Sequence, residues 1–309
     1  MGVDDRSVGS DPADPIAYFL QDMTFHGRSE RTRGAYERVL RSFEAFLGER
    51  GTALSSTDER ACMTWVHSLR SDHADSTVAS YAAYVHRFYA YMTQVGAFDS
   101  NPMALVTEEM DESIDTDPAR REISIEEMRS FFGEISHPLE RAVIGTLLKT
   151  GMRVGECCNL DLRDIYIDDT EVGETFSVPH RGALDGRPDS IYVSSDPARG
   201  EPYNGESRTA SNKRKRDTVV PMDAELKRLL KTWLAIRPDV ESPAEPLFCS
   251  TSEWGRRLTP PMVRNMVASH ASERGWYRSG GGAEENITPT TSDTFSRRIC
   301  AIERGIEAS

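Results

Sequence analysis

The most constraining feature is helical periodicity in the first third of the chain. TRGAYERVLRSFEAFL places Tyr36, Leu40, Phe43 and Leu47 on one stripe, and Gly51 follows its end. STVASYAAYVHRFYAYMTQVG repeats the pattern with Val78, Tyr81, Val85, Phe88 and Met92, and Gly96 stands where a helix C-cap belongs. SSTDERACMTWVHSLR supplies a shorter helix between them. Aromatic residues at this spacing are core residues by default, not platforms for stacked bases. The spacing predicts a compact helical unit over residues 14–106, closed by Asn101-Pro102, after a disordered tail at residues 1–13.

The next stretch breaks the pattern. TEEMDESIDTDPA, residues 107–119, is acidic and has no periodicity, so it reads as a linker. A second unit over residues 120–309 then opens with a capping-box pattern at Ser124 and Glu127. PLERAVIGTLLKTG is a second helix, and a third begins near Arg153 and runs to about Leu160. IYIDD, TFSV and SIYVSS read as short strands among Gly, Pro and Asp. DAELKRLLKTWL and TPPMVRNMVASHASERG return to helix, the latter with Thr259 as N-cap and Pro260 at the first position. The fold class expected is mainly α, with a small antiparallel sheet in the second unit.

Charge narrows the function. The 309 residues carry a net charge of −13, which argues against a general polyanion binder. The cations are 32 Arg and 5 Lys against 50 acidic residues. A surface so poor in Lys and rich in acid resembles those adapted to high intracellular salt. In such salt long-range attraction is screened, so DNA binding would depend on local basic clusters. Cys62, Cys157, Cys158, Cys249 and Cys300 form no CxxC pair and have no His at ligand spacing, so buried or free thiols are expected, with no metal site and no cofactor. SGGGAEEN lacks the pattern of a phosphate-cradling loop. No run of apolar residues is long enough to span a membrane and the first residues do not form a signal peptide, so a cytoplasmic protein is expected.

Two segments carry chemistry. In LLKTGMRVGECCNLDLRDI, a turn at Thr150-Gly151 sets Arg153 at a helix start, where its guanidinium and free backbone N–H groups can face one anion. A surface arginine is the plain alternative. In SRTASNKRKRDTVVP, Arg208, Lys213, Arg214, Lys215 and Arg216 form the densest basic cluster of an acidic chain, on an expected hairpin turn shaped to reach a DNA groove or backbone. A solvated charge run is the alternative there. Arg31 and Arg33, at the start of the first long stripe, are further candidates for DNA contact.

Together the two segments resemble the tyrosine recombinases, the phage-integrase family. TGMRVGE followed by NLDLRDI is similar to that family's first-arginine segment, and NKRKRDTVVP to its lysine segment. The resemblance places Arg153 on the first catalytic arginine, Glu156 on the glutamate after it and Lys213 on the catalytic lysine. The first unit resembles the helical, SAM-like core-binding domain, and the likeness runs over roughly residues 14–289. It implies a helical DNA-binding domain joined to an α+β catalytic domain. It also implies double-stranded DNA as partner, other protomers as assembly partners and no metal or cofactor. The implied reaction is site-specific strand exchange, in which a tyrosine attacks a DNA phosphate. Arginines hold the phosphate oxygens while a lysine and a histidine move protons.

The likeness breaks after Ile287-Thr288-Pro289. The family continues Thr-Pro-His-x-x-Arg-His, whereas this chain has Thr290, Asp293 and Thr294 at the His, Arg and His positions. An aspartate there repels a phosphate. Tyr277, the last tyrosine, lies upstream of the motif, so no nucleophile matches and the catalytic unit reads as truncated. One event accounts for all of this. Codons that write Thr-Thr-Ser-Asp-Thr-Phe-Ser also allow a His, an Arg and a His, in that order, in a shifted frame. Residues 290–309 are therefore read as out-of-frame peptide, and the copy as catalytically defective. The other readings are a non-catalytic competitor or accessory protein at recombination sites, or an inert fragment.

Overall fold

A computed structural model describes residues 14–114, 121–176, 178–253, 255–282 and 285–289. The expected tail at 1–13, most of the linker's second half and the whole of 290–309 lie outside these residues. Contacts divide the chain into two units, Met1–Asp117 and Pro118–Ser309.

In the first unit the apolar stripes become five helices: α1 (Pro15–Phe25), α2 (Glu30–Gly48), α3 (Glu59–Leu69), α4 (Asp75–Gln94) and α5 (Met103–Glu109). Side-chain caps fix three of the starts. The Asp14 carboxylate accepts from the N–H groups of Ile16 and Ala17 at 3.1 and 3.0 Å, Ser29 Oγ from Thr32 at 3.2 Å, and Asp58 from Ala61 at 2.8 Å. Each satisfies an N–H that the helix cannot bond itself, and removing such a cap costs about 1 kcal/mol. Gly96, at φ +76°, takes the left-handed turn that ends α4.

Leu40, Phe43, Leu47, Val78, Val85, Phe88 and Met92 are all buried. Phe43 meets Trp65 of α3 edge-on at 4.8 Å and Phe88 meets Phe19 of α1 at 5.7 Å. Truncating a ring so enclosed costs about 3–5 kcal/mol. Tyr36 and Tyr81 differ from their stripe neighbours. They sit at the margin of the core, and the Tyr36 ring stacks on Tyr84 at 4.2 Å.

The second unit contains α6 (Ile125–Glu134), α7 (Pro138–Thr150), α8 (Val154–Cys158), β1 (Ile165–Tyr166), α9 (Thr170–Thr175), β2 (Ser190–Val193), β3 (Pro202–Tyr203), β4 (Glu206–Ser207), β5 (Thr218–Pro221), α10 (Ala224–Leu234) and α11 (Pro260–Glu273). Ser124 and Glu127 close the capping box at the start of α6, with bonds of 3.1 and 2.8 Å. The core lies between α7 and α10, where Leu139, Val143 and Leu147 share one apolar cluster with Leu226, Leu230 and Trp233. The approach is close at Gly145, where a Cβ would fall 2.6 Å from the Leu229 side chain. Strands β1, β2 and β5 form an antiparallel sheet in that order, with Ile165 opposite Ile191 and Ile191 opposite Val220. The fold is thus mainly α with small antiparallel sheets.

Two local expectations are corrected. Of TFSV, Thr175 ends a helix and Phe176 and Val178 are in no strand: the Asp169 side chain accepts from Val172 N–H at 3.3 Å and caps α9, which carries the chain through Thr175. The basic stretch is not a hairpin tip either. The tip nearest to it is that of β3–β4, and residues 208–217 lead from β4, with bends at 209–210 and 215–216, into β5, which pairs with β2. Among the described residues no helix is long and apolar enough to cross a membrane.

Candidate nucleic-acid interface

Gly151 ends α7 in the left-handed conformation, φ +62°, and its N–H bonds Leu147 O at 3.1 Å. Two residues later Arg153 is the N-cap of α8, with extended backbone angles. The cap is made by a carboxylate from within the helix. Glu156 Oε2 accepts from Arg153 N–H at 2.9 Å, and Oε1 accepts from Arg153 Nη1 at 3.2 Å. The Glu156 side chain is 1% exposed, whereas that of Arg153 is 53% exposed. The arginine is therefore steered from below and open above.

Glu156 has a second cation. Arg214 Nη2, from the basic stretch, lies 3.2 Å from the same Oε2. The two segments singled out by sequence thus meet at one buried carboxylate. Around that point α8 and the basic stretch fit closely. A Cβ on Gly155 would lie 3.0 Å from Ser211 O and 3.4 Å from Ala210 Cβ. The Asn159 amide donates to Ala210 O and to Asn212 Oδ1, both at 2.9 Å. Asn212 in turn donates to Ser194 O at 2.6 Å. At the far end, Asp217 accepts from the N–H and hydroxyl of Ser195, both at 2.8 Å, and from the Tyr192 hydroxyl at 2.5 Å. The bond from Tyr192 is the main cause holding the Asp217 carboxyl below its ordinary range, while burial pushes Tyr192 up to about 12.

Between these anchors Lys213, Lys215 and Arg216 are exposed, and Arg214 between them turns inward. Arg208 does not belong to this surface. Its side chain is 0% exposed and forms two bonds to Asp161, Nη1 to Oδ1 at 3.0 Å and Nη2 to Oδ2 at 2.7 Å. Arg257 reaches the same carboxylate at 2.5 Å, bonds Glu206 at 2.8 Å, and caps the carbonyls of Cys158 and Leu160 at 3.0 and 3.1 Å. Asn204 adds a bond to Asp161 Oδ2 at 2.5 Å. Two arginines and two carboxylates thus close a buried network behind the basic stretch, and Arg208 fastens the β3–β4 hairpin to it. The expectation that Arg208 contacts DNA is overturned by this burial.

In the first unit Arg31 is exposed on the first turn of α2. Arg33 is half-buried, and its Nη1 donates to the Thr24 hydroxyl on α1. Sequence reading missed a neighbouring group. Arg28 and Arg87 both oppose the rise that burial imposes on the Tyr36 hydroxyl, so they bring positive charge to the stacked pair of Tyr36 and Tyr84. For Arg87 the signal was available as Tyr84 with Arg87, spaced i, i+3 on one helix, whereas Arg28 precedes α2 and has no such spacing to Tyr36.

Among the described residues no group of three or more His, Cys, Asp and Glu is arranged to hold a metal ion. Cys62, Cys157, Cys158 and Cys249 are buried free thiols, and burial raises the pKa of each. Of the three replaced positions, Thr290, Asp293 and Thr294 all lie outside the described residues. The segment leading to them is placed: Ile287 is buried and its N–H bonds Trp276 O at 2.9 Å.

Known proteins are similar to this chain in sequence and in fold. Residues 16–96 match the family described as phage integrase, N-terminal SAM-like domain. Tyrosine recombinase XerC of Mycobacterium bovis is 30% identical over 145 residues, covering 45% of this chain and 49% of the relative. XerC of Mycobacterium leprae is 30% identical over 195 residues, covering 56% and 65%. The chain thus spans about half the length of most curated relatives it matches. In fold it is similar to the Tn1549 transposon integrase in complex with a circular intermediate DNA, with TM-score 0.64, 16% identity and coverage of 91% of this chain and 84% of that one. It is also similar to a lambda integrase dimer bound to a COC′ core site, with TM-score 0.62, 14% identity and coverage of 92% and 68%. The chain is thus similar to phage integrases in its first unit, to tyrosine recombinases in sequence and to solved integrases in fold.

Proposed function

We propose that the chain is a DNA-binding protein of the tyrosine recombinase type that engages recombination sites in double-stranded DNA without cleaving them. The observation that carries this reading is the meeting of Arg153 and the Lys213–Arg216 stretch at Glu156. It concentrates positive charge at one place on a chain of net charge −13. The solved integrases of the same fold are bound to DNA, one as a dimer and one as a tetramer at a Holliday junction, and the proposal extends both kinds of partner to this chain.

In this reading Arg153 grips a non-bridging phosphate oxygen with its open guanidinium, and Lys213, at the position the resemblance gives to the catalytic lysine, adds positive charge for the DNA backbone with no cleavage step to assist. The defect lies at the positions of the second arginine and the two histidines, filled by Asp293, Thr290 and Thr294. Loss of such groups removes orders of magnitude in rate. The out-of-frame origin of residues 290–309 belongs to the same proposal.

Duplex DNA carrying candidate sites, titrated over a salt series, tests the binding. Affinity that falls steeply with salt is the expected result, and salt-independent or absent binding sinks the reading. A nicked suicide substrate tests the chemistry. No covalent adduct is expected, and a trapped protein–DNA adduct overturns the claim of inactivity. Sequencing the gene tests the frame, because codons that exclude His-x-x-Arg-His in the shifted frame remove that explanation.

A further inference from the structure

Arg214 lies within the basic stretch, yet it faces the other way from its neighbours. The stretch runs between two anchors without strand pairing, and one side chain in it turns inward while its neighbours stay exposed. Lys213 and Lys215 are exposed, and Arg214 points into the protein to reach Glu156 at 3.2 Å. The stretch is held before this point by Asn159, Asn212 and the close fit of Gly155. It is held after it by Asp217. Among the described residues no hydrogen bond or ion pair holds the side chains of Lys213 or Lys215, so between the anchors the Glu156–Arg214 pair is the side-chain contact that fixes the stretch to α8.

We infer that Arg214 is a positioning residue and not a phosphate contact. Its pair with Glu156 latches the Lys213–Arg216 stretch against α8 and thereby holds Lys213 beside the helix whose N-cap is Arg153. Glu156 serves both arginines at once: Oε1 orients the Arg153 guanidinium and Oε2 retains Arg214. The inference deepens the reading proposed above and rests on it in one respect, that the exposed cations of this stretch face DNA.

The latch and a direct contact differ in how two variants combine. Glu156→Gln removes a negative charge near bound phosphate and one acceptor of Arg153. If Arg214 were a phosphate contact, E156Q would tighten binding or act through Arg153 alone, and its effect would add to that of R214M. If Glu156 and Arg214 form a latch, E156Q and R214M weaken binding through one shared contact. Duplex binding measured by fluorescence anisotropy over a salt series is expected to show E156Q and R214M each weakened on the order of tenfold, as coupled neighbours require. R214M is expected to lower the salt slope by more than the value of about 1 for one lost phosphate contact. The double variant is expected to be no weaker than the worse single, and R214K to retain most of the affinity. Tighter binding by E156Q, or additive losses in the double variant, overturns the inference.

Hydrogen exchange in the free protein supplies the second arm. R214M is expected to speed exchange in residues 211–217 while leaving α7 and α10 unchanged, and equal exchange in residues 211–217 overturns the latch. Absence of DNA binding by the unmodified chain defeats the functional reading alone, and exchange then still decides the latch.

Discussion

Two carboxylates organise the second unit, and they do so in opposite ways. Asp161 belongs to a closed network in which Arg208 and Arg257 balance Asp161 and Glu206, and the side chains of Asp161, Arg208 and Arg257 are almost wholly buried. Glu156 is equally buried but serves two arginines alone, one of them 53% exposed. A balanced set of charges has no use for a further ion and acts as a fastener. An unbalanced set leaves positive charge facing solvent and suits a polyanion. The ratio of carboxylates to guanidinium groups, not the density of basic residues along the chain, separates the closed fastener from the surface proposed for DNA.

The largest effect should come from breaking the closed network. Asp161→Ala leaves two buried guanidinium groups short of a partner, and about 3–5 kcal/mol of stability should be lost, read by urea denaturation. A loss under about 1 kcal/mol would show that water replaces the carboxylate. Arg153→Ala tests the open set. It should weaken DNA binding by about 1–3 kcal/mol, the range of a charge-assisted contact, while leaving the denaturation midpoint close to that of the unmodified chain.

Asp217 offers a pH test at the edge of the same stretch. Its folded pKa is depressed, chiefly by the Tyr192 hydrogen bond. The stability it contributes is therefore complete above the ordinary carboxylate range and is lost as pH falls through the lower, folded value. Asp217→Asn should flatten the acid limb of stability against pH, and an unchanged limb would show the bond to be without effect. Lys215→Ala should have the smallest effect: no measurable change in stability, and a salt slope for DNA binding reduced by about 1.

Much of this was legible in the sequence because it depends on local period. The stripes of α2 and α4, the Ser124–Glu127 box and the turn before Arg153 are each set by residues within one or two helical turns. Tyr36 departs from its stripe because a ring with a hydroxyl gains by lying at the core margin against Tyr84. TFSV looked like a strand because it is aromatic and β-branched, but the cap that decides the matter is Asp169, outside that window. Arg208 could not be assigned from its neighbours, since its partner Asp161 stands on another segment and the pair forms only when the hairpin folds back.

Gly151 carries a consequence for inheritance. Every missense change one nucleotide away from a glycine codon installs a Cβ. At φ +62° that Cβ costs about 1–2 kcal/mol against the left-handed turn. The turn is what sets the direction in which the chain leaves α7, two residues before Arg153. Substitution there would mis-aim the arginine while leaving every charged side chain in place. A lineage keeping this surface for DNA should retain Gly151, and a lineage that has abandoned the surface should let it drift.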